Sequence, residues 1–194
     1  MCEMTESERR EYESLREIPL ESTLIRHGRI LDMRLDMVRV PNGNVAGREL
    51  VRHLGAVCVV PLTDDGQVIL ERQYRYVIDS VITEIPAGKL DAADEEPLEA
   101  AKRELREETG FHAAEWISLG DFFPAAAYSD EHIRLFLARG LTPGERDLDA
   151  DELINVFTLP LEDAVAAVMR GEYPDAKTQM GILKAAEYLR RENT

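Results

Sequence analysis

The chain has 194 residues, with 23 Lys and Arg against 38 Asp and Glu, for a formal net charge of -15. That length holds one sizeable core, or one core and a small appendage, and a composition 44% hydrophobic and 31% charged is that of a water-soluble globular protein. The negative balance excludes a general nucleic-acid binder and a polybasic membrane-surface protein, since both need a positive field to attract phosphates; an anionic ligand has to be met by local arginines and metal.

Residues 1–17 are highly charged and are expected to fray or to form a short helix; they are too polar for a secretion signal, and no apolar run approaches the roughly 20 residues of a membrane span. A cytoplasmic protein is the expectation. Residues 18–52 alternate apolar and polar positions around the turn Pro41-Asn-Gly-Asn44, which predicts a small antiparallel sheet. Its Leu24, Ile30, Leu31, Met33, Leu35 and Met37 are more apolar residues than so small a sheet can bury alone, so it must cover either the chain's own body or a second copy. Residues 53–194 are read as the main domain. Strands are predicted at 55–61 and 67–73 around Asp64-Asp-Gly66, then at 81–85, 116–123, 132–138 and 154–158, with helices at 161–170 and 175–191. Cys58 reads as a small core residue, Cys2 lies in the charged terminus, and two cysteines so placed suggest neither a disulfide framework nor a thiolate metal site. Trp116, Phe122 and Phe123 also read as core. The four histidines show no ligand spacing.

Between the strands at 81–85 and 116–123 lies the richest segment. Pro97 stands where a first helical turn tolerates it, Thr109-Gly110 marks the stop, and Leu98, Ala101 and Leu105 form an apolar stripe that docks the helix on a core. Glu104, Glu107 and Glu108 fall on one side of it, because positions three and four apart on a helix are neighbours. A Glu-rich helix is by default a solvated face. Carboxylates crowded beside a docking stripe, however, suit hard divalent ions such as Mg²⁺ or Mn²⁺, which take oxygen ligands and share their shell with water and phosphates.

The run from Glu95 through Arg103, Glu104, Leu105, Glu107, Glu108 and Gly110 to Phe111, seven residues separating Glu95 from Arg103, resembles the signature of the Nudix hydrolases throughout. One departure is that six residues, not five, separate Gly88 from Glu95, which leaves Asp94 and Glu95 as alternatives for the acidic position. The resemblance implies an α+β Nudix fold, a mixed β-sheet sandwiched between α-helices, carrying in addition the small N-terminal antiparallel sheet. It extends over roughly residues 20–190 and is closest to the ADP-ribose pyrophosphatases: Gly47-Arg48-Glu49, Arg72-Gln-Tyr-Arg75, Glu84-Ile-Pro-Ala-Gly88 and Asp175-Ala-Lys177-Thr178 are similar to segments of that subfamily. In Phe122 to Glu131 the loop resembles theirs, but Ala125-Ala126-Ala127 replaces a Ser-Pro-Gly, which opens the choice of terminal sugar to GDP-mannose, NADH or another nucleoside diphosphate derivative.

By that resemblance Glu104, Glu107 and Glu108 with the carbonyl of Ala87 hold Mg²⁺ or Mn²⁺. Arg103 orients the glutamates or touches substrate, and Glu95 supports the ligands or binds a further ion. Arg48, Arg72 and Arg75 meet the diphosphate, for which planar guanidinium forks are suited, and Glu84 meets ribose hydroxyls. Glu152, then Asp151, is the candidate general base. The expected partners are a nucleotide-sugar substrate and a second copy of the chain, joined through the N-terminal sheet, with no nucleic acid or membrane. A non-catalytic ligand-sensing module is the alternative, and the complete glutamate set argues against it.

Overall fold

The structure, a computed structural model, describes residues 4–148, 150, 152–192 and 194; Cys2 and Asp151 lie outside the described residues. Two compact units divide it, Met1–His53 with Ala125–Glu131, and Leu54–Pro124 with His132–Thr194.

In the first unit, helix α1 (Glu6–Leu15) begins at Thr5, whose hydroxyl accepts from the Glu8 amide while the Glu8 carboxylate accepts from the Thr5 amide. This reciprocal cap satisfies donors that a helix start otherwise leaves open. Strands β1 (Ile18–His27), β2 (Leu31–Arg39) and β3 (Val45–His53) follow as an antiparallel sheet in that order. The predicted turn joins β2 to β3, with Gly43 at φ +89°. Residues Ala125–Glu131 join this unit through backbone and side-chain hydrogen bonds: the Val51 amide donates to Tyr128 O at 2.8 Å, and the Asp130 carboxylate accepts from the His53 amide and from Arg52 Nη1, both at 2.9 Å. Ile18, Leu24, Ile25, Met33 and Val45 stand exposed on the sheet.

The second unit holds two sheets. One is mixed, with order β7-β4-β9-β8, from β4 (Ala56–Pro61), β7 (Ala87–Lys89), β8 (Phe111–Phe122) and β9 (Ile133–Pro143); β4 and β9 run parallel and the other pairs antiparallel. The other sheet is antiparallel, with order β10-β5-β6, from β5 (Gln67–Arg75), β6 (Ser80–Glu84) and β10 (Ile154–Pro160). All six residues of β4 are buried because both of its faces are covered. Cys58 and Val60 point into a core shared with Val68 and Leu70 of β5 and with helices α3 (Leu161–Met169) and α4 (Ala176–Glu192), while Val57 and Val59 point into a second core under helix α2 (Pro97–Glu104). Alternation along one strand thus holds helices on opposite faces of a sheet, the α+β sandwich expected from the sequence. No helix among the described residues is long and apolar enough to cross a membrane.

Some details differ from the sequence reading. The short strand β7 was not predicted; three residues are too few to show a period. Phe123 is exposed, its ring stacked on His132 with centroids 4.9 Å apart, whereas Phe122 and Trp116 pack on the two cores as expected. Cys58 is buried and its thiol is pushed up to about 12, chiefly by desolvation.

Gly181 lets α4 approach the sheet closely: a Cβ there would lie 2.7 Å from Ile85 Cδ1 and 3.0 Å from Val60 Cγ2. Gly181→Val should therefore destabilise the chain by about 1–3 kcal/mol through overpacking, read as a lower urea midpoint at unchanged slope.

Candidate active site

Pro97 occupies the first turn of α2, where its missing N–H leaves no hydrogen bond unmade, and Ala100, Ala101 and Leu105 anchor the helix in the second core. The predicted helix does reach Thr109, but its last five residues, Leu105–Thr109, form a π turn that ends at Gly110 with φ +77°. The wider turn changes the angles between Glu104, Glu107 and Glu108 from those of a regular α-helix. The Thr109 hydroxyl donates to the Leu105 carbonyl at 2.5 Å and steadies it.

Arg103 is the hub. Its Nη1 donates to Glu104 Oε1 at 2.7 Å and to Glu107 Oε2 at 3.2 Å, its Nη2 to the Lys89 carbonyl at 3.2 Å, and its Nε reaches Glu95 Oε1 at 3.4 Å. Glu95 also accepts from the Asp91 amide at 2.6 Å, while Asp94 is exposed, so Glu95 is the acidic residue that the lengthened loop delivers to the site. Across from Arg103, β7 brings Gly88 against Glu104. A Cβ on Gly88 would fall 2.0 Å from the Glu104 carboxyl carbon, so only glycine leaves room for that carboxylate. Glu108 is 3% exposed and accepts from the Ala87 amide at 2.8 Å.

These groups line a cleft of about 200 Å³ bounded by Ala87, Gly88, Lys89, Asp91, Arg103, Glu104, Glu107 and Glu152. Two surface hollows are larger, about 440 Å³ each, but neither gathers comparable chemistry. The first of them is lined by Glu187 and Arg191, an ion pair on the exposed side of α4. The second has Leu62, Pro160, Leu161 and Leu189 in its walls.

Behind the cleft, β5 and β6 present a second charged layer. Glu84 is 2% exposed and is gripped by Arg75, whose Nε donates to both carboxylate oxygens at 3.1 Å, and by Lys177 Nζ at 3.2 Å. Lys177 also meets Asp175 at 3.1 Å. Directly opposite Glu84 in the β5–β6 register stands Glu71, fully buried. Glu71 did not emerge from the sequence, although an acidic residue closing the apolar run Val68-Ile-Leu70 was a signal available there.

Burial dominates the electrostatics. Desolvation raises the Glu104 carboxyl, with Arg103 pulling it back, and raises Glu108 well above the usual range with help from Glu71 and Glu104. Desolvation, then the charge of Glu84, raises Glu71 to about 8 from an ordinary 4.5.

The sequence-derived residues are thus partly assembled. Ala87, Arg103, Glu104, Glu107 and Glu152 line one cleft, with Glu108 bound to Ala87. Arg75 and Glu84 form an ion pair on β5 and β6. Arg72 lies on the opposite face of β5, its guanidinium 4.5 Å from the centre of the Phe157 ring, and is not brought together with Arg75. Arg48, on β3 in the first unit, is paired with Glu17. Among the described residues no three acidic, His or Cys side chains stand close enough to hold a metal ion as placed; Arg103 occupies oxygens of Glu104 and Glu107, and the Ala87 amide occupies one of Glu108. The donor set nevertheless fits a hard divalent cation. It is all oxygen, it includes a glycine cradle for one carboxylate, and both oxygens of the buried Glu71 lack a hydrogen-bond partner.

Comparison with known proteins agrees with this geometry. Residues 52–179 match the NUDIX domain model. The chain is 40% identical over 171 residues to an ADP-ribose pyrophosphatase of Bacillus subtilis, covering 87% of this chain and 92% of that one. It is 38% identical over 168 residues to an ADP-ribose pyrophosphatase of Mycobacterium tuberculosis, covering 84% and 80%. Among solved structures, that of an ADP compounds hydrolase superposes with a TM-score of 0.81 at 24% identity, covering 92% of this chain and 97% of the other, which shows a common fold. The chain belongs to the Nudix family and is a Nudix hydrolase.

The raised carboxyl of Glu71 sets a sign for pH dependence. Its contribution to stability is complete below 4.5, where folded and unfolded states both hold the proton, and is lost as pH rises through about 8. In chelator-treated protein, Glu71→Gln should therefore gain stability over the parent progressively between those two pH values, as urea unfolding at stepped pH will show; a constant difference across the range would contradict the assignment.

Proposed function

We propose that the chain hydrolyses ADP-ribose to AMP and ribose 5-phosphate with Mg²⁺ or Mn²⁺. The observation that carries this reading is the cleft in which one arginine ties together three glutamates of the Nudix signature while a further glutamate, Glu152, stands in the wall. The two relatives named ADP-ribose pyrophosphatase support the choice of substrate within the nucleoside diphosphate derivatives.

Glu104, Glu107 and Glu108, with the carbonyl of Ala87, are the donors that would hold the cation, which when bound offsets diphosphate charge and acidifies water. Arg103 keeps the glutamate oxygens oriented through charge-assisted hydrogen bonds, and Glu95 fixes Arg103 from the far side. Glu152 accepts the proton of the water that attacks phosphorus; the bridging P–O bond breaks and the second phosphate leaves with the pair of electrons. We assign Arg75 to the diphosphate charge and Glu84 to holding Arg75, because the carboxylate of Glu84 is already engaged. Arg72 is assigned to packing on Phe157. The substrate class and the free Cys58 fit a cytoplasmic setting.

Product chromatography on ADP-ribose, GDP-mannose and NADH with Mg²⁺ tests the reading. ADP-ribose should be cleaved to AMP at the highest kcat/KM, and a competitor at least about tenfold better would reassign the substrate, a difference of about 1.4 kcal/mol. Glu107→Gln should fold normally and lose at least about 100-fold in kcat, since cation-held charge contributes several kcal/mol to such a transition state.

We also propose that the sheet β1-β2-β3 joins two copies of the chain and carries Arg48 to the partner's nucleotide. The support is the resemblance together with the exposed apolar residues Ile18, Leu24, Ile25, Met33 and Val45. Light scattering should give twice the chain mass, and replacing Leu24 and Met33 together by Asp should give the monomer mass; a monomeric parent would overturn the proposal.

A further inference from the structure

The segment Asp175-Ala-Lys177-Thr178 has no task in the proposed hydrolysis, yet its lysine is an unusual one. The Lys177 side chain is 13% exposed, although an ammonium is strongly hydrated and is almost never withdrawn from water unless it is paired. The withdrawal is built into the chain. Asp175 precedes α4, and its Oδ2 accepts from the Thr178 amide at 2.9 Å and from the Thr178 hydroxyl at 2.6 Å, while the same oxygen meets Lys177 Nζ at 3.1 Å. The Thr178 hydroxyl in turn accepts from the Ile85 amide at 2.9 Å, which ties the start of α4 to the residue that follows β6. Lys177 Nζ is thereby set 3.2 Å from Oε1 of Glu84, the last residue of β6.

Glu84 thus has two cations, and they face different ways. The Arg75 side chain is 40% exposed; it holds Glu84 through Nε and Nη2, and its Nη1 makes no hydrogen bond among the described residues. Lys177 meets the same carboxylate from the more buried side. The second cation has a physical reason. Glu84 is 2% exposed and stands opposite the buried Glu71 in the β5–β6 register, so its charge is tolerable only while it is compensated. An arginine that also meets an anionic diphosphate divides its charge between that anion and Glu84, and the carboxylate then needs another counter-ion. A compact ammonium suits the enclosed position, and a planar fork suits the exposed one.

We propose that Lys177 is a positioning residue for substrate binding: held by Asp175, it keeps Glu84 compensated, so that Glu84 fixes the Nε and Nη2 edge of Arg75 and leaves Nη1 for the diphosphate. Lys177 does not touch the substrate and acts through Glu84 and Arg75. The inference rests on the assignment of Arg75 to the diphosphate.

Steady-state hydrolysis of ADP-ribose with saturating Mg²⁺ by the whole protein, with melting recorded for every variant, tests it. Lys177→Met removes the ammonium at similar length, and Lys177→Gln keeps donors for Glu84 and Asp175 without the charge, which guards against a first variant that does not fold. Each should raise KM about tenfold or more while kcat stays within about threefold, the pattern of lost binding that is common to ground and transition states. Arg75→Met should raise KM at least as much, and Lys177→Gln added to Arg75→Met should change KM by less than about twofold, because a residue that acts through Arg75 has nothing further to lose. A parent-like KM with a lower melting temperature in both Lys177 variants makes Lys177 a structural ion pair and overturns the proposal, as does an additive rise of KM in the double variant. If Arg75→Met keeps the parent KM, the assignment of Arg75 to the diphosphate falls and this inference with it; a KM that responds to Arg75 and not to Lys177 defeats this inference alone.

Discussion

The second unit is organised around an excess of buried negative charge. Glu71, Glu84, Glu104 and Glu108 are all buried, with Arg75, Lys177 and Arg103 as the cations that meet members of the set directly. Burial of a carboxylate disfavours its charged form, and each additional carboxylate raises the cost for its neighbours, as the upward displacement of Glu71, Glu104 and Glu108 shows. Such an arrangement cannot be the source of the fold's stability. It is tolerated because β4 and β9 bury apolar side chains on both faces and supply two cores that do not depend on it. Buried carboxyl groups with raised titration gathered at one place on an otherwise well-packed frame are the mark of a functional site.

The frame positions these charges by backbone means that leave little freedom. Gly88 allows the Glu104 carboxylate to lie against β7, and the π turn followed by Gly110 sets where Glu107 and Glu108 stand relative to Glu104. Arg103 then couples the parts. A guanidinium presents its donors in a rigid planar fork and can serve Glu95, Glu104, Glu107 and a carbonyl at once, whereas a lysine is a point charge on a flexible stem and could not fix several oxygens at defined angles. The lengthened loop before the helix does not disturb this, because the Asp91 amide caps Glu95 and turns it toward Arg103.

The first unit follows another logic. Its three strands leave apolar side chains exposed, and its polar contacts, Asp130 with Arg52 and the His53 amide, recruit the distant segment Ala125–Glu131 to the edge of β3. That segment contains the three alanines that depart from the subfamily pattern, so the departure falls in a stretch anchored at its far end by Asp130.

The central signature, the family it resembles, the strands around Pro41-Asn-Gly-Asn44 and the strand at 55–61 were legible in the sequence, because each depends on spacing or composition within one segment. That Arg103 stands beside Glu104 and Glu107 was legible for the same reason, since all three lie on one helix. Alternation along a strand puts Arg72 and Arg75 on opposite faces, but which of them meets Phe157 and which meets Glu84 was not legible. Glu71 offered a local signal as the acid that closes the apolar run Val68-Ile-Leu70, but its partner Glu84 lies across a strand pair and could not be read from that segment. Local spacing determines which residues a helix or loop presents together; the environment of a carboxylate is the sum of long-range Coulomb and desolvation effects from elements that meet only when the sheets are formed, and this the tertiary structure alone decided.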